Sequence, residues 1–117
     1  MTPDARAVDT TAETPYVILW EFHVRAGREA AFESAYGPAG DWARLFQQAE
    51  GYLGTELLRD HEEPGRYLTL DRWASRAAFE SFHGERREEY EALDRQCEGL
   101  TASEIRLGSF SAVPGPE

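Results

Sequence analysis

Cysteine is nearly missing from these 117 residues: Cys97 stands alone. A lone thiol cannot close an intramolecular disulfide, and no Cys/His spacing resembles a zinc site. Its simplest role is that of a small buried hydrophobe on a helix, because free cysteine is usually buried and inert. Long hydrophobic runs are missing too. The longest, Tyr16 to Trp20, is far too short to span a bilayer, and the N-terminus lacks a basic region followed by an apolar stretch. No membrane partner is expected, and a cytoplasmic location is the default. Positive charge is scarce: Asp and Glu outnumber Lys and Arg by 22 to 12, so the summed field repels phosphate backbones and excludes nucleic acid as a partner. The chain has no Gly-rich phosphate loop, nucleophile elbow or Cys-His pair. His61-Glu62-Glu63 supplies too few oxygens for a hard metal ion, so no metal site is expected.

What is present suffices for one packed core. Hydrophobic residues make up 41% and aromatic residues 12%, with Trp20, Trp42 and Trp73 as the largest potential contributors, and the length fits a single domain. Residues 1–15 mix small, polar and charged side chains without an apolar period, and residues 111–117 end in Val-Pro-Gly-Pro-Glu. Both ends read as tails, the first of them disordered. The organised segment runs from Tyr16 to Phe110, without an internal repeat.

Tyr16 to Val24 is rich in β-branched and aromatic residues and is closed by Arg25-Ala26-Gly27, which predicts a first strand. Phe32, Ala35 and Tyr36 then mark one helical face before Gly37-Pro38-Ala39-Gly40 breaks it. Asp41 offers an N-cap to a second piece carrying Trp42, Leu45, Phe46 and Ala49 on one side. Tyr52 to Asp60 resembles a strand, in which Gly54 marks a weak point and a close backbone approach. After a loop at residues 61–65, Arg66 to Trp73 alternates and pairs with it as a hairpin. Ser75 is the expected N-cap of another helix, with Ala78, Phe79 and Phe82 on its apolar stripe. A kink is expected near Gly84 before Tyr90, Leu93 and Cys97, and Leu100 to Phe110 completes a last strand.

The order β-α-β-β-α-β is the split β-α-β unit of ferredoxin-like α+β folds: a four-stranded antiparallel sheet with its helices on one face. That leaves the other face bare. Ile18, Trp20 and Phe22 point one way along the first strand, Val17 and Leu19 the other, so both faces carry apolar bulk. Two identical sheets packed face to face would bury the second set, at roughly 25 cal/mol for each Å² covered. A twofold homodimer is therefore expected.

The assembled residues resemble the antibiotic-biosynthesis monooxygenase family of dimeric α+β barrels. The matching features are Val24-Arg25-Ala26-Gly27 with Phe32, the run Gly51 to Asp60, and Arg66-Tyr67-Leu68 leading to Trp73-Ala74-Ser75. Further on, Ala78-Phe79, Phe82 and Leu107-Gly108-Ser109-Phe110 also match. The resemblance implies a pocket between helices and sheet that takes a small planar aromatic or quinone-like compound and oxidises it with dioxygen and no bound cofactor. Trp20, Phe22, Trp42, Phe46, Phe79, Phe82 and Tyr90 would converge there, while Tyr67, Asp71 and Trp73 share one strand face and could supply a hydrogen bond or a wall. The bland reading of the same side chains is core filling.

Candidate catalytic groups are His23 and His83, which exchange protons near neutral pH, and Arg72, which could steady an anionic oxygen. Asp71 beside Arg72 reads as a sheet-edge charge pattern, since neighbours in a strand point apart. Haem-degrading members of the same family use an asparagine on the first strand, a tryptophan in the second helix and an axial histidine. Trp20, Phe82 and Ala92 stand at those positions here, so none of the three carries over, and haem binding is a lesser alternative in which His83 could in principle replace the axial ligand. The rival from another class is a non-catalytic ligand-binding or dimeric assembly module in which the pocket is filled.

Overall fold

The computed structural model describes residues 15–116, so all of the expected N-terminal tail except Pro15 lies outside the described residues. The elements are β1 (Tyr16–Val24), α1 (Glu29–Tyr36), α2 (Asp41–Phe46), β2 (Tyr52–Arg59), β3 (Arg66–Trp73), α3 (Arg76–Glu85), α4 (Arg87–Cys97) and β4 (Thr101–Ser111). The four strands form one antiparallel sheet in the order β2-β3-β1-β4, the ferredoxin-like arrangement expected from the sequence. Both crossover helices are divided, giving β-α-α-β-β-α-α-β. Residues 112–116 follow β4 without regular structure and are exposed. No helix among the described residues is long and apolar enough to cross a membrane.

Local chemistry explains most boundaries. Ser75 Oγ accepts the Ala78 N–H at 3.1 Å and caps α3, as its side chain suggested. Asp41 does not cap α2. Gly40 occupies the cap position and Asp41 is already helical, its Oδ1 accepting from Arg44 Nη2 at 2.9 Å. The break in the second crossover falls at Arg86 (φ −117°, ψ 31°), while Gly84 continues α3, two residues past the expected kink. The break turns α4 so that Tyr90 meets Trp42 at 5.0 Å and His83 at 4.9 Å between ring centroids.

Two glycines shape the sheet. Gly54 (φ +149°) and Gly108 (φ +142°) lie at register shifts, where β2 skips Leu53 against β3 and β4 skips Leu107 against β1. Gly54 is not a point of close approach: nothing stands within 4 Å of where a Cβ would be, and its backbone angle alone explains it. The skip leaves Leu53 exposed and turns both Tyr52 and Thr55 towards the helices. An unbroken strand would send residues three apart to opposite faces.

The core lies between the sheet and the four helical segments. Trp73, Phe32 and Phe82 are its largest fully buried side chains, joined by Ile18, Phe22, Tyr36, Trp42 and Phe46. Cys97 is buried and free, as expected of a small hydrophobe. On the outer face Val17 and Leu19 are half-buried, and Leu58, Ile105, Leu107 and Phe110 are exposed.

Candidate functional site

Strand alternation and helix packing leave an open space on the inner side of the sheet. Its first lobe, about 180 Å³, is walled by Trp20 and Phe22 of β1, Tyr36 of α1, and Trp42 and Phe46 of α2. Its floor is the polar row Thr55, Thr69 and Asp71 on β2 and β3, and Tyr90, Asp94 and Glu104 complete it from α4 and β4. A second lobe of about 280 Å³ shares Trp20, Phe46, Asp71 and Tyr90 with the first and adds Ile18, Trp73, Phe79, His83 and Arg106. Each lobe by itself falls short of the roughly 300–1,000 Å³ of a drug-sized ligand's pocket, and Trp20, Phe46, Asp71 and Tyr90 stand between the two. Its walls are mostly aromatic faces, which favour a flat ring system.

Asp71 borders both lobes, and the expectation of a sheet-edge charge is corrected. β3 is an inner strand, and this carboxylate shares its inward face with Tyr67, Thr69 and Trp73. Thr55 is its direct cross-strand neighbour and donates from Oγ1 to Asp71 Oδ1 at 2.7 Å. Because that donation uses the only hydroxyl proton of Thr55, the Tyr52 hydroxyl, 2.6 Å from Thr55 Oγ1, must donate in turn. Burial pushes the Asp71 carboxyl up from 3.8 to about 6, against the opposing pull of the Thr55 hydrogen bond. Desolvation raises the Tyr52 phenol, and pushes that of Tyr90 to about 12, so both remain protonated donors at neutral pH.

The candidate residues separate into three groups. Trp20, Phe22, Trp42, Phe46 and Tyr90 line the first lobe, and Phe79 and His83 the second, with Trp73 beneath it and wholly buried. Tyr67 and Phe82 line neither lobe. Tyr67 is buried under α1, where its hydroxyl donates to Glu33 Oε2, a carboxylate that Arg59 Nη2 also reaches at 2.7 Å. Phe82 packs behind the second lobe against Phe46 and Trp73, both at 5.3 Å. His23 and Arg72 lie behind the sheet. Their strand parity puts them on the outer face, where His23 Nε2 meets Glu21 Oε2 at 3.0 Å and Arg72 Nη1 meets Glu56 Oε2 at 3.4 Å. Neither can touch a molecule in the cavity, and Arg106 is the cation that does line it.

Sequence reasoning missed Thr55, Asp94, Glu104 and Arg106, and underrated Asp71. Only Gly54 signalled the strand irregularity that brings Tyr52 and Thr55 to one face. Among the described residues no group of three His, Cys, Asp or Glu side chains is placed to hold a metal ion.

A ferredoxin-like α+β sheet with an aromatic-walled space under its helices defines the class of protein. The antibiotic biosynthesis monooxygenase family matches residues 15–95, and the chain belongs to that family. No curated protein matches the sequence. Among solved structures, SnoaB from Streptomyces nogalater, a cofactor-independent oxygenase, is similar with TM-score 0.68 and 22% identity, over 89% of this chain and 99% of that one. PA3566 from Pseudomonas aeruginosa gives TM-score 0.64 and 17% identity over 88% and 98%. A putative monooxygenase from Shewanella loihica gives 0.58 and 24% over 87% and 97%. Identities this low establish a shared fold, not a shared substrate.

Proposed function

We propose that the protein is a cofactor-independent monooxygenase that takes a flat, neutral aromatic compound into the aromatic-walled space beneath its helices and oxidises an activated ring position with dioxygen. The observation that carries this reading is an aromatic-walled space on the inner sheet face with the half-buried carboxylate of Asp71 on its floor. Membership of a monooxygenase family and the fold shared with SnoaB support it.

The chemistry needs little from the protein beyond position, proton transfer and exclusion of water. Removal of a proton from an activated CH₂ leaves an electron-rich anion, which gives one electron to dioxygen. The radical pair combines at carbon, the peroxide is protonated, and loss of water leaves a carbonyl. The overall change is CH₂ + O₂ → C=O + H₂O, with no electrons left over. Stacking on Trp20 and Trp42 would hold the ring plane, and Arg106 stands at the second lobe to steady a developing oxyanion. Oxygen uptake with a panel of anthrones and hydroquinones tests the reading. Turnover at least 100-fold above buffer is expected for one class of compound, and none across the panel would favour a pure binding module.

The working unit of this reading is a homodimer joined through the outer sheet face. Val17, Leu19, Leu58, Ile105, Leu107 and Phe110 put apolar surface on that face, more than a monomer gains by leaving wet. Light scattering is expected to give twice the 13.2 kDa chain mass, and Leu19→Asp to return the chain mass while the fold is kept. Chain mass for the unaltered protein at micromolar concentration would overturn the dimer.

A further inference from the structure

We infer that Asp71 is the base that takes the substrate's proton, held in position by a one-way hydrogen-bond chain from Tyr52 through Thr55. This deepens the oxygenase reading and rests on it. Three observations carry the assignment. Among the described residues Asp71 is the only carboxylate that borders both lobes, so a ring seated in either one lies beside it. The chain from Tyr52 to Thr55 to Asp71 Oδ1 uses every available proton in one direction, which fixes the carboxylate through Oδ1 and leaves Oδ2 outside the chain. Strand geometry normally forbids the arrangement, and it exists because β2 skips Leu53 at Gly54.

The cavity also restricts what can be deprotonated. The titratable groups that share these lobes or hydrogen bonds with Asp71 are Tyr36 from α1, Tyr52 from β2, His83 from α3, Tyr90 and Asp94 from α4, and Glu104 and Arg106 from β4. Among the described residues the first lobe thus holds three carboxylates and no cation, which disfavours a carboxylated or sulfonated ring. The substrate class is a neutral polycyclic ketone or phenol with an acidic C–H or O–H. The proton moves from that group to Asp71 Oδ2 and returns to the peroxide, so the carboxylate is regenerated in each cycle. Burial supports the role, because an acid near the working pH both accepts and returns a proton readily.

Deuterium exchange separates the base from the oxygenase. Anthrone incubated anaerobically with the protein in D₂O should exchange its methylene protons faster than in buffer, a readout that needs no dioxygen. Asp71→Asn is expected to lower that exchange at least 100-fold while anthraquinone, followed by tryptophan fluorescence, binds within about threefold of the unaltered protein. Thr55→Val should cut exchange about tenfold and move the acidic limb of its pH profile upward, since the lost hydrogen bond had favoured the charged carboxylate. A merely structural threonine would leave that limb in place. Exchange lost in Asp71→Asn without oxygen uptake by the unaltered protein keeps the base and removes the oxygenase. Exchange in Asp71→Asn within threefold of the unaltered protein, or lost instead in His83→Ala, overturns the base while oxygen uptake still upholds the oxygenase. A protein that accelerates neither process overturns both.

Discussion

Trp73→Ala is expected to lower stability by about 3–5 kcal/mol, a large part of the roughly 5–15 kcal/mol that holds a domain of this size together. Trp73 has no exposed surface and is surrounded by Phe46 at 5.6 Å, Tyr52 at 5.3 Å, Phe79 at 5.4 Å and Phe82 at 5.3 Å. Those rings belong to α2, β2 and α3, so the indole joins three elements to the sheet, and collapse around its absence would have to move all of them. Its Nε1 is buried without a hydrogen-bond partner among the described residues, so removing it restores a little of what the lost contacts cost. Urea unfolding should show a lower midpoint with an unchanged slope, and the melting temperature should fall by more than about 10 °C. Trp20→Ala is the control. Trp20 is only half-buried on the cavity wall, so its loss should cost clearly less, and equal costs would mean that the cavity is closed in solution.

That difference between two tryptophans shows what the sequence carries and what it does not. Alternation and helical spacing are local, and they suffice to place β1, β3, the Ser75 cap and the helix-facing side of the sheet. They also put His23 and Arg72 on the far side once their parity is counted against Phe22 and Trp73. The polar floor is a different matter. Thr55 meets Asp71 only through the β2–β3 register, Tyr52 joins them only because a bulge reverses its direction, and Glu104 and Arg106 arrive only when β4 pairs beside β1. Each depends on long-range pairing that no window of neighbouring residues encodes. Aromatic stripes pose the same problem in another form: Phe79 and Phe82 are three apart on one helix, yet one borders the second lobe and the other is sealed behind it.

Asp71→Asn is expected to make the protein more stable at pH 8 and to change it little at pH 4. A carboxyl whose pKa rises from 3.8 unfolded to about 6 folded binds its proton more tightly in the native state. Its contribution is therefore fully present below about pH 4, declines as the pH climbs through the window between the two values, and is lost above about pH 6. Beyond that point the charged group costs the fold on the order of 2–3 kcal/mol. Asparagine keeps an oxygen for the Thr55 hydroxyl and never ionises, so the variant should gain about 1–3 kcal/mol at pH 8. Glu21, Glu33 and Asp60, whose ion pairs and hydrogen bonds hold them low, stabilise the fold in the opposite sense as pH rises. They are common to both proteins and cancel in the difference. Urea midpoints at the two pH values check the expectation, and an Asp71→Asn protein no more stable than its parent at pH 8 would contradict it. A carboxylate retained where it weakens the fold is hard to explain by packing, because asparagine would fill the same space and accept the same hydrogen bond. A loss of proton exchange in the same variant that gains stability would identify what the charge is kept for.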